Sequence, residues 1–234
     1  MNRLVKDSLT IIVPCFNEES NLSKSYQEIK KSLKKSRIRK YEIIFIDDCS
    51  NDNTQEEIKK ILKTNKNTKL IINKKNLGLG VSVLRGFKTS KLNYCTYVPG
   101  DNSHPSKGLS MIYNKIDPLG TIIIPFVADK SSRNIFRVIL SSSYTKIVNF
   151  IFRLDIPYYN SLCVYPTKHV TKLKLISTGF SFQSEILIRL LRKNLKYKLV
   201  NTIIKENRQF FTSAVSLKSI KSVILSIIKL RVKI

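Results

Sequence analysis

The stretch "YEIIFIDDCSNDNT", Tyr41 to Thr54, decides the architecture. Tyr41–Ile46 is a short β-branched and aromatic run with a single polar residue, the pattern of a strand covered on both faces. Two aspartates end it, and Asn51, Asp52 and Asn53 then supply side chains suited to cap a helix. In "NTQEEIKKILK" the apolar Ile58, Ile61 and Leu62 follow at helical spacing. A buried strand running through carboxylates into an amphipathic helix is the first half of a parallel β–α–β unit.

The same alternation extends in both directions. "LTIIV" (9–13), "TKLII" (68–72), "YCTYV" (94–98) and "TIII" (121–124), ended by Pro125, read as further buried strands. "ESNLSKSYQEIKKSLKKS" places Leu22, Tyr26, Ile29 and Leu33 on one helical face. The expected fold is therefore α/β, a mostly parallel central sheet flanked by helices. After about residue 130 the alternation gives way to helical stretches, "SFQSEILIRLLRK" among them, and to a strand-like "YKLVNTII" (197–204). No internal repeat or flexible linker divides the chain.

The 234 residues carry a formal net charge of +26, which points to nucleic acid or an anionic membrane surface. Abundant Lys, Ile and Asn make compositional drift a third contributor. No nucleic-acid partner is expected, because no basic stretch is interleaved with aromatics for base stacking. Cys15, Cys49, Cys95 and Cys163 lack metal-type spacing and read as free thiols in a reducing compartment. The N-terminal segment lacks the apolar core of a signal peptide, and no run of ~20 apolar residues offers a transmembrane helix.

At the C-terminus, "SLKSIKSVILSIIKLRVKI" brings Leu217, Ile220, Ile224, Ile227 and Ile228 to one helical face, with Lys218, Lys221 and Lys229 outside it. From Arg189 onward there are twelve Lys/Arg and Glu206 alone as an acid. The expectation is a basic amphipathic helix over 212–234 at the membrane interface, following an α/β domain over 1–211. A last helix docked on that domain is the alternative.

In an open parallel sheet, ligands bind beyond the carboxyl ends of the strands. "VPCFNEE", "IDDCSND", "NKKNLGLG" and "PGDNSHP" follow the first four strands in turn. Of Asp47 and Asp48, one can hold the turn while the other meets a ribose or base. "NLGLG" lacks the third glycine of a dinucleotide fingerprint and follows the third strand, so close packing is its expected use.

Taken together, "IIVPCFNEESNL", "YEIIFIDDCSNDNT", "NLGLGVSVLRGF", "GDNSHP", "TGFSFQSEILIRLL" and the arginine of "ENRQFF" resemble the family 2 glycosyltransferases of GT-A fold. Within them the pattern is similar to the polyprenyl-phosphate, or dolichol-phosphate mannose synthase-like, hexose synthases. The resemblance implies that Pro14, Phe16 and Glu18 meet the nucleoside, and Ile46 and Asp48 the base and ribose. It implies that the Pro99–Gly100–Asp101 loop binds the nucleotide sugar, Asp101 meeting Mg2+ or Mn2+ and the diphosphate. Arg208 would reach the phosphates. The sequence departs from the family pattern at Pro99, which replaces an acid, at Phe16, which replaces a tyrosine, and at Ala214, which replaces a lysine that Lys218 could supply.

Chemistry separates the possible acceptors. A hydroxyl acceptor wants a general base, and beyond Asp101 the available groups are Asp117, Asp129, Asp155, Glu185, Glu206, His104 and His169. Glu185 is the one whose setting resembles a catalytic site. A polyprenyl phosphate is already anionic and needs no base. Arg133 or Arg137 could assist Arg208; His104 could contact phosphate or cap the helix after it. Tyr158, Tyr159 and Asn160 could line the acceptor side or simply pack.

The expected function is hexose transfer from a UDP- or GDP-linked donor to polyprenyl phosphate, with inversion, on the cytoplasmic face of the membrane. A membrane-embedded partner subunit is a possible companion. The alternatives are transfer to a hydroxyl of a surface glycan or glycolipid, and a non-catalytic basic binding module.

Overall fold

The computed structural model describes residues 8–129, 135–177, 179, 181–205 and 217–233, leaving aside the side chains of 136, 137 and 217–224. Strand β1 (Ser8–Cys15) lies at the centre, buried along its whole length. It pairs in parallel with β2 (Lys40–Asp47) on one side and β4 (Tyr94–Tyr97) on the other. Beyond β2 lies β3 (Thr68–Ile72), also parallel. The crossovers run through α1 (Leu22–Lys34), α2 (Thr54–Thr64) and α3 (Leu79–Thr89). Parallel strands require such connections, and the apolar faces of the helices close over the sheet.

After β4 the chain forms α4 (Ser106–Tyr113), β5 (Ile122–Phe126) and α5 (Ile135–Phe152). The short β6 (Tyr165–Pro166) then returns antiparallel beside β4 and leads into α6 (Thr167–Val170). Helix α7 (Phe182–Leu191) precedes β7 (Tyr197–Asn201), which pairs in parallel with β5. A bridge between Ile123 and Val164 joins the two sheets, giving the spatial order β3-β2-β1-β4-β6-β5-β7. The short antiparallel return and the second sheet were not foreseen, because two residues of β6 carry no periodicity to read.

Order in the sheet reverses between β1 and β4. The first three strands progress outward on one side of β1, and the chain then returns to its other side. The crevice between the carboxyl ends of β1 and β4 is thus the topological switch point, where an open α/β sheet binds its ligand.

Glycines adjust the packing at two close approaches. A Cβ on Gly86 of α3 would stand 2.4 Å from Ile12 Cγ2, so the helix lies directly on β1. One on Gly108 of α4 would meet the Ile203 carbonyl oxygen at 2.3 Å. That contact carries the chain leaving β7 across α4 toward the switch point. Cys15, Cys95 and Cys163 are buried and Cys49 is half-buried, all as free thiols.

Helix α8 (Leu217–Lys233) docks on α5 through buried Ile227 and Leu230. The single apolar face expected from the sequence is divided here: Ile227 is buried, while Ile228 is exposed with Leu225 and Val232. Docking on α5 takes one side of the helix and leaves a second apolar stripe outward. The side chains of Leu217, Lys218, Ile220, Lys221 and Ile224 lie outside the described residues, as does the expected 211/212 boundary. Among the described residues no helix is long and apolar enough to cross a membrane.

Candidate active site

Backbone hydrogen bonds draw the strand-end loops together at the switch point. Gly100 N–H donates to the Pro14 carbonyl at 3.2 Å, and Asp48 N–H to the Cys15 carbonyl at 2.9 Å. The first two loops are then stitched by side chains. Asn17 N–H donates to Ser50 Oγ (3.0 Å), Glu18 N–H to Thr54 Oγ1 (2.8 Å) and Asn53 N–H to Glu19 Oε2 (2.9 Å). Each of the three loops contains one residue in the left-handed region, Asn17, Cys49 and Asn102, with φ of 55°, 65° and 57°. Asparagine tolerates this conformation; cysteine does so only under local strain.

Asp101 sits half-buried on the β4 loop. Its Oδ1 accepts from Ser103 N–H (3.0 Å) and Ser103 Oγ (2.6 Å), while Oδ2 accepts from no described residue. Pro99 is fixed from behind, its carbonyl accepting from Ser25 Oγ at 3.1 Å. Gly100 is buried, and a Cβ on it would lie 3.2 Å from Cys15 Sγ and 3.5 Å from Glu18 Cγ. Glu18 and Asp101 are therefore neighbours across the crevice. Burial raises the Glu18 carboxyl above its ordinary range, against the hydrogen bond from Asn21, and the charges of Asp101 and Asp52 push the same way.

The two aspartates of β2 divide their work. Asp47 accepts from Gln55 Nε2 at 2.8 Å and so ties the strand end to α2. Asp48 is buried and accepts from Asn73 Nδ2 (2.7 Å), Leu77 N–H (2.9 Å) and Gly78 N–H (2.8 Å). The anion at the start of α3 is thus a carboxylate of the protein itself, and Gly78, at φ 83°, permits the turn that presents its N–H. Ile46 is fully buried, paired with Pro14 and Ile71 on the flanking strands, and Pro14 is buried beside it. Phe16, by contrast, stands 44% exposed at the lip of the crevice.

On the other side of Asp101 a cleft of about 180 Å3 opens between Tyr97, Pro99, His104, Tyr158, Asn160 and Ser161. Tyr158 and Asn160 line it, whereas Tyr159 packs inward, its hydroxyl donating to Asn149 Oδ1 at 2.7 Å. Burial lowers the His104 pKa to about 4, only partly offset by the Asp101 charge, so the imidazole is neutral. His104 is not the cap of α4: Glu28 of α1 fills that role, accepting from Ser106 N–H at 2.6 Å.

Glu185 is elsewhere. It is 1% exposed on α7, and its carboxylate accepts from Ile176 N–H (2.9 Å), Ser177 N–H (2.7 Å) and Arg189 Nε (2.8 Å). Its hydrogen bonds hold the chain before α7 rather than face the cleft. His169 lies on α6 and Asp117 pairs with Lys198, both on other parts of the surface. Arg208, Glu206, Arg133, Ala214 and the side chains of Arg137 and Lys218 lie outside the described residues.

One cation at the site escaped the sequence reading. Lys205 N–H donates to the Ser103 carbonyl (2.8 Å) and its Nζ to Asn102 Oδ1 (3.2 Å), so it flanks Asp101's loop. Nothing distinguishes it in sequence among 42 Lys and Arg; Gly108, a glycine inside a helical pattern, was the available signal of a close approach.

Comparisons with known proteins agree with the fold. The yeast Saccharomyces cerevisiae dolichol-phosphate mannosyltransferase is 26% identical over 138 residues, 57% of this chain and 52% of the relative. A dolichyl-phosphate beta-glucosyltransferase of Dictyostelium discoideum is 33% identical over 110 residues, 44% of this chain and 34% of the relative. The chain thus spans about half, or less, of the length of these relatives. Among solved structures, a mannosyltransferase of Pyrobaculum calidifontis in complex with GDP-mannose and Mn2+ superposes with a TM-score of 0.67 at 11% identity, covering 97% of this chain and 64% of that one. The glucosyl-3-phosphoglycerate synthase of Mycobacterium tuberculosis, with Mn2+, UDP and phosphoglyceric acid, gives 0.67 at 13% identity, covering 94% and 78%. The fold is the expected GT-A α/β fold. The pattern characteristic of "Glycosyl transferase family 2" matches residues 10–180, most of the chain, and the protein belongs to that family.

Proposed function

We propose that this chain transfers a hexose from a nucleotide sugar to a polyprenyl phosphate at a membrane surface, with inversion at the anomeric carbon. The observation that carries the reading is the convergence of Asp101, Glu18, Phe16 and Lys205 on the β1/β4 switch point, with a cleft beside them. Relatives named for transfer to dolichol phosphate support the acceptor class, and the Mn2+-bound neighbours support a divalent ion.

The donor set fits such an ion. Two neighbouring carboxylates, one raised by burial and by the other's charge, are relieved by a cation between them and a diphosphate. Mg2+ is often held by one or two carboxylates plus substrate phosphate, so Pro99 in place of an acid leaves a workable site. Asp101 Oδ2 would hold the ion, with Glu18 beside it. When bound, a divalent cation neutralises charge on the leaving diphosphate.

The protein's own groups do the rest. Phe16 offers an exposed ring to the base, and Lys205 neutralises the phosphates, a role the family resemblance also implies for Arg208. The sugar occupies the cleft by Tyr158 and Asn160. An acceptor phosphate oxygen attacks the anomeric carbon as the bond to the diphosphate oxygen breaks, and the nucleoside diphosphate leaves. No proton need be removed. Among the described residues the cleft's one imidazole, His104, is held in its neutral form by burial. Residues 1–211 would form the catalytic domain and 212–234 the segment that meets lipid.

Calorimetry with UDP and GDP, with and without Mg2+, tests the reading and names the base. Asp101→Asn should reduce nucleotide affinity in Mg2+ by about tenfold or more, to the metal-free level. Unchanged affinity in that variant would remove the metal assignment. Turnover on polyprenyl phosphate is expected; turnover only on a saccharide hydroxyl would reject the acceptor.

A further inference from the structure

A second basic concavity lies away from the switch point. Its volume is about 510 Å3, and it is lined by Lys172, Leu173, Lys174, Arg189, Arg192 and Lys193. The cations come from two separate segments. Lys172 and Lys174 follow α6, whereas Arg189, Arg192 and Lys193 belong to the last turn of α7 and the residues after it. Helix α7 begins near the site, where Gln183 donates to the Tyr97 hydroxyl, and its ten residues span ~15 Å. Its far end leads to Lys196, whose carbonyl accepts from Ile122 N–H at the start of β5. The concavity therefore sits toward the amino-terminal edge of the sheet, opposite the edge that carries Asp101.

Three observations make it more than a solvated charge run. First, one buried carboxylate builds both walls. Glu185 accepts from Ile176 and Ser177 N–H, fixing the segment that bears Lys172 and Lys174, and from Arg189 Nε on the other wall. Second, the charge is uncompensated: among the described residues Lys172, Lys174, Arg192 and Lys193 form no ion pair, and Glu185 answers Arg189 alone. Third, the local potential is strong enough to be felt nearby. Burial depresses the pKa of His169, and Lys168, Lys172 and Lys193 depress it further. The ordinary preference for cations at a helix C-terminus accounts for Arg189, Arg192 and Lys193. It does not account for two lysines converging from a different segment over a shared space, with buried Leu173 among them.

We propose that this concavity is a binding site for a multiply charged phosphate group, separate from the nucleotide-sugar site. Two cationic walls facing one space lower the free energy of an anion carrying two or more negative charges. The chemistry is shared by a lipid headgroup that bears a phosphomonoester, as in phosphatidic acid, and by soluble pyrophosphate. The inference stands independently of the transfer reaction.

The test uses the full chain without metal or nucleotide. One variant neutralises the walls (Lys172→Gln, Lys174→Gln, Arg192→Gln, Lys193→Gln), and a control neutralises four exposed lysines elsewhere (Lys24→Gln, Lys34→Gln, Lys35→Gln, Lys66→Gln). Both lower the net charge equally, and circular dichroism checks that both fold. Binding is measured to inorganic pyrophosphate by calorimetry, and to phosphatidylcholine vesicles with and without phosphatidic acid by sedimentation. The wall variant should lose about tenfold or more in affinity for at least one probe while the control keeps it. Loss toward pyrophosphate assigns a soluble phosphate, loss toward the anionic vesicles alone a headgroup. Equal losses in both variants, no loss in the wall variant, or no binding by the native chain would overturn the proposal.

Discussion

His104 and Asp101 show how neighbouring residues in one loop are set apart by environment. Among the described residues no donor reaches Asp101 Oδ2, whereas His104, lowered from 6.5 to about 4 mainly by burial, is neutral at physiological pH. The sign of the linkage follows. The unfolded chain binds the His104 proton from pH 6.5 downward and the folded chain only near 4, so stability falls as pH drops through that window. His104→Gln should flatten this part of the acid-unfolding profile by on the order of 2 kcal/mol, as read from urea denaturation at successive pH values. An unchanged profile would mean that His104 is not buried as described. At this scale the sequence marked Asp101 as the lone acid of its loop. It could not show that Glu18 lies beside it, because no local pattern encodes a distance between two loops.

Among the elements, α4 illustrates how packing positions the site. Its N-terminus is held by Glu28 of α1, and its Gly108 lets the backbone after β7 cross at contact distance. That crossing delivers Lys205 to the Asp101 loop. Gly108→Ala would force a methyl against the Ile203 carbonyl oxygen. It should destabilise the fold by about 2–4 kcal/mol in urea titration. If Lys205 serves the donor as proposed, nucleotide affinity should weaken as well. The first four strands and their helices were legible, because buried β-branched runs and helical periodicity are local signals. β6, two residues long, and the pairing of β5 with β7 depend on contacts distant in sequence.

Over the molecule as a whole, apolar side chains gather on the α5–α8 surface. Ile135, Ile139, Ile147 and Phe150 of α5 and Leu225, Ile228 and Val232 of α8 are exposed, Phe150 by 87% and Val232 by 82%. On α8 the three recur at i, i+3 and i+7, beside exposed Lys229, Arg231 and Lys233. Apolar residues rimmed by cations suit a bilayer surface, which is where the proposed acceptor would be found. Phe150→Ser with Val232→Ser should reduce co-sedimentation with vesicles of mixed phosphatidylcholine and phosphatidylglycerol by about tenfold, with nucleotide binding unchanged. Undiminished sedimentation would remove the α5–α8 surface as a membrane contact.

The order of strands and helices through β4, and the residues that end each strand, followed from the sequence by itself. Both rest on interactions within a few residues: continuous β-branched runs, helical period and capping chemistry. Only the tertiary structure decided that Asp48 anchors the turn before α3, that Glu185 braces a basic concavity, and that α8 divides its apolar residues between α5 and the surface. Each outcome depends on which partner reaches a group first in three dimensions. A carboxylate's role is set by the donors packed around it, and those donors come from segments the chain separates by tens of residues.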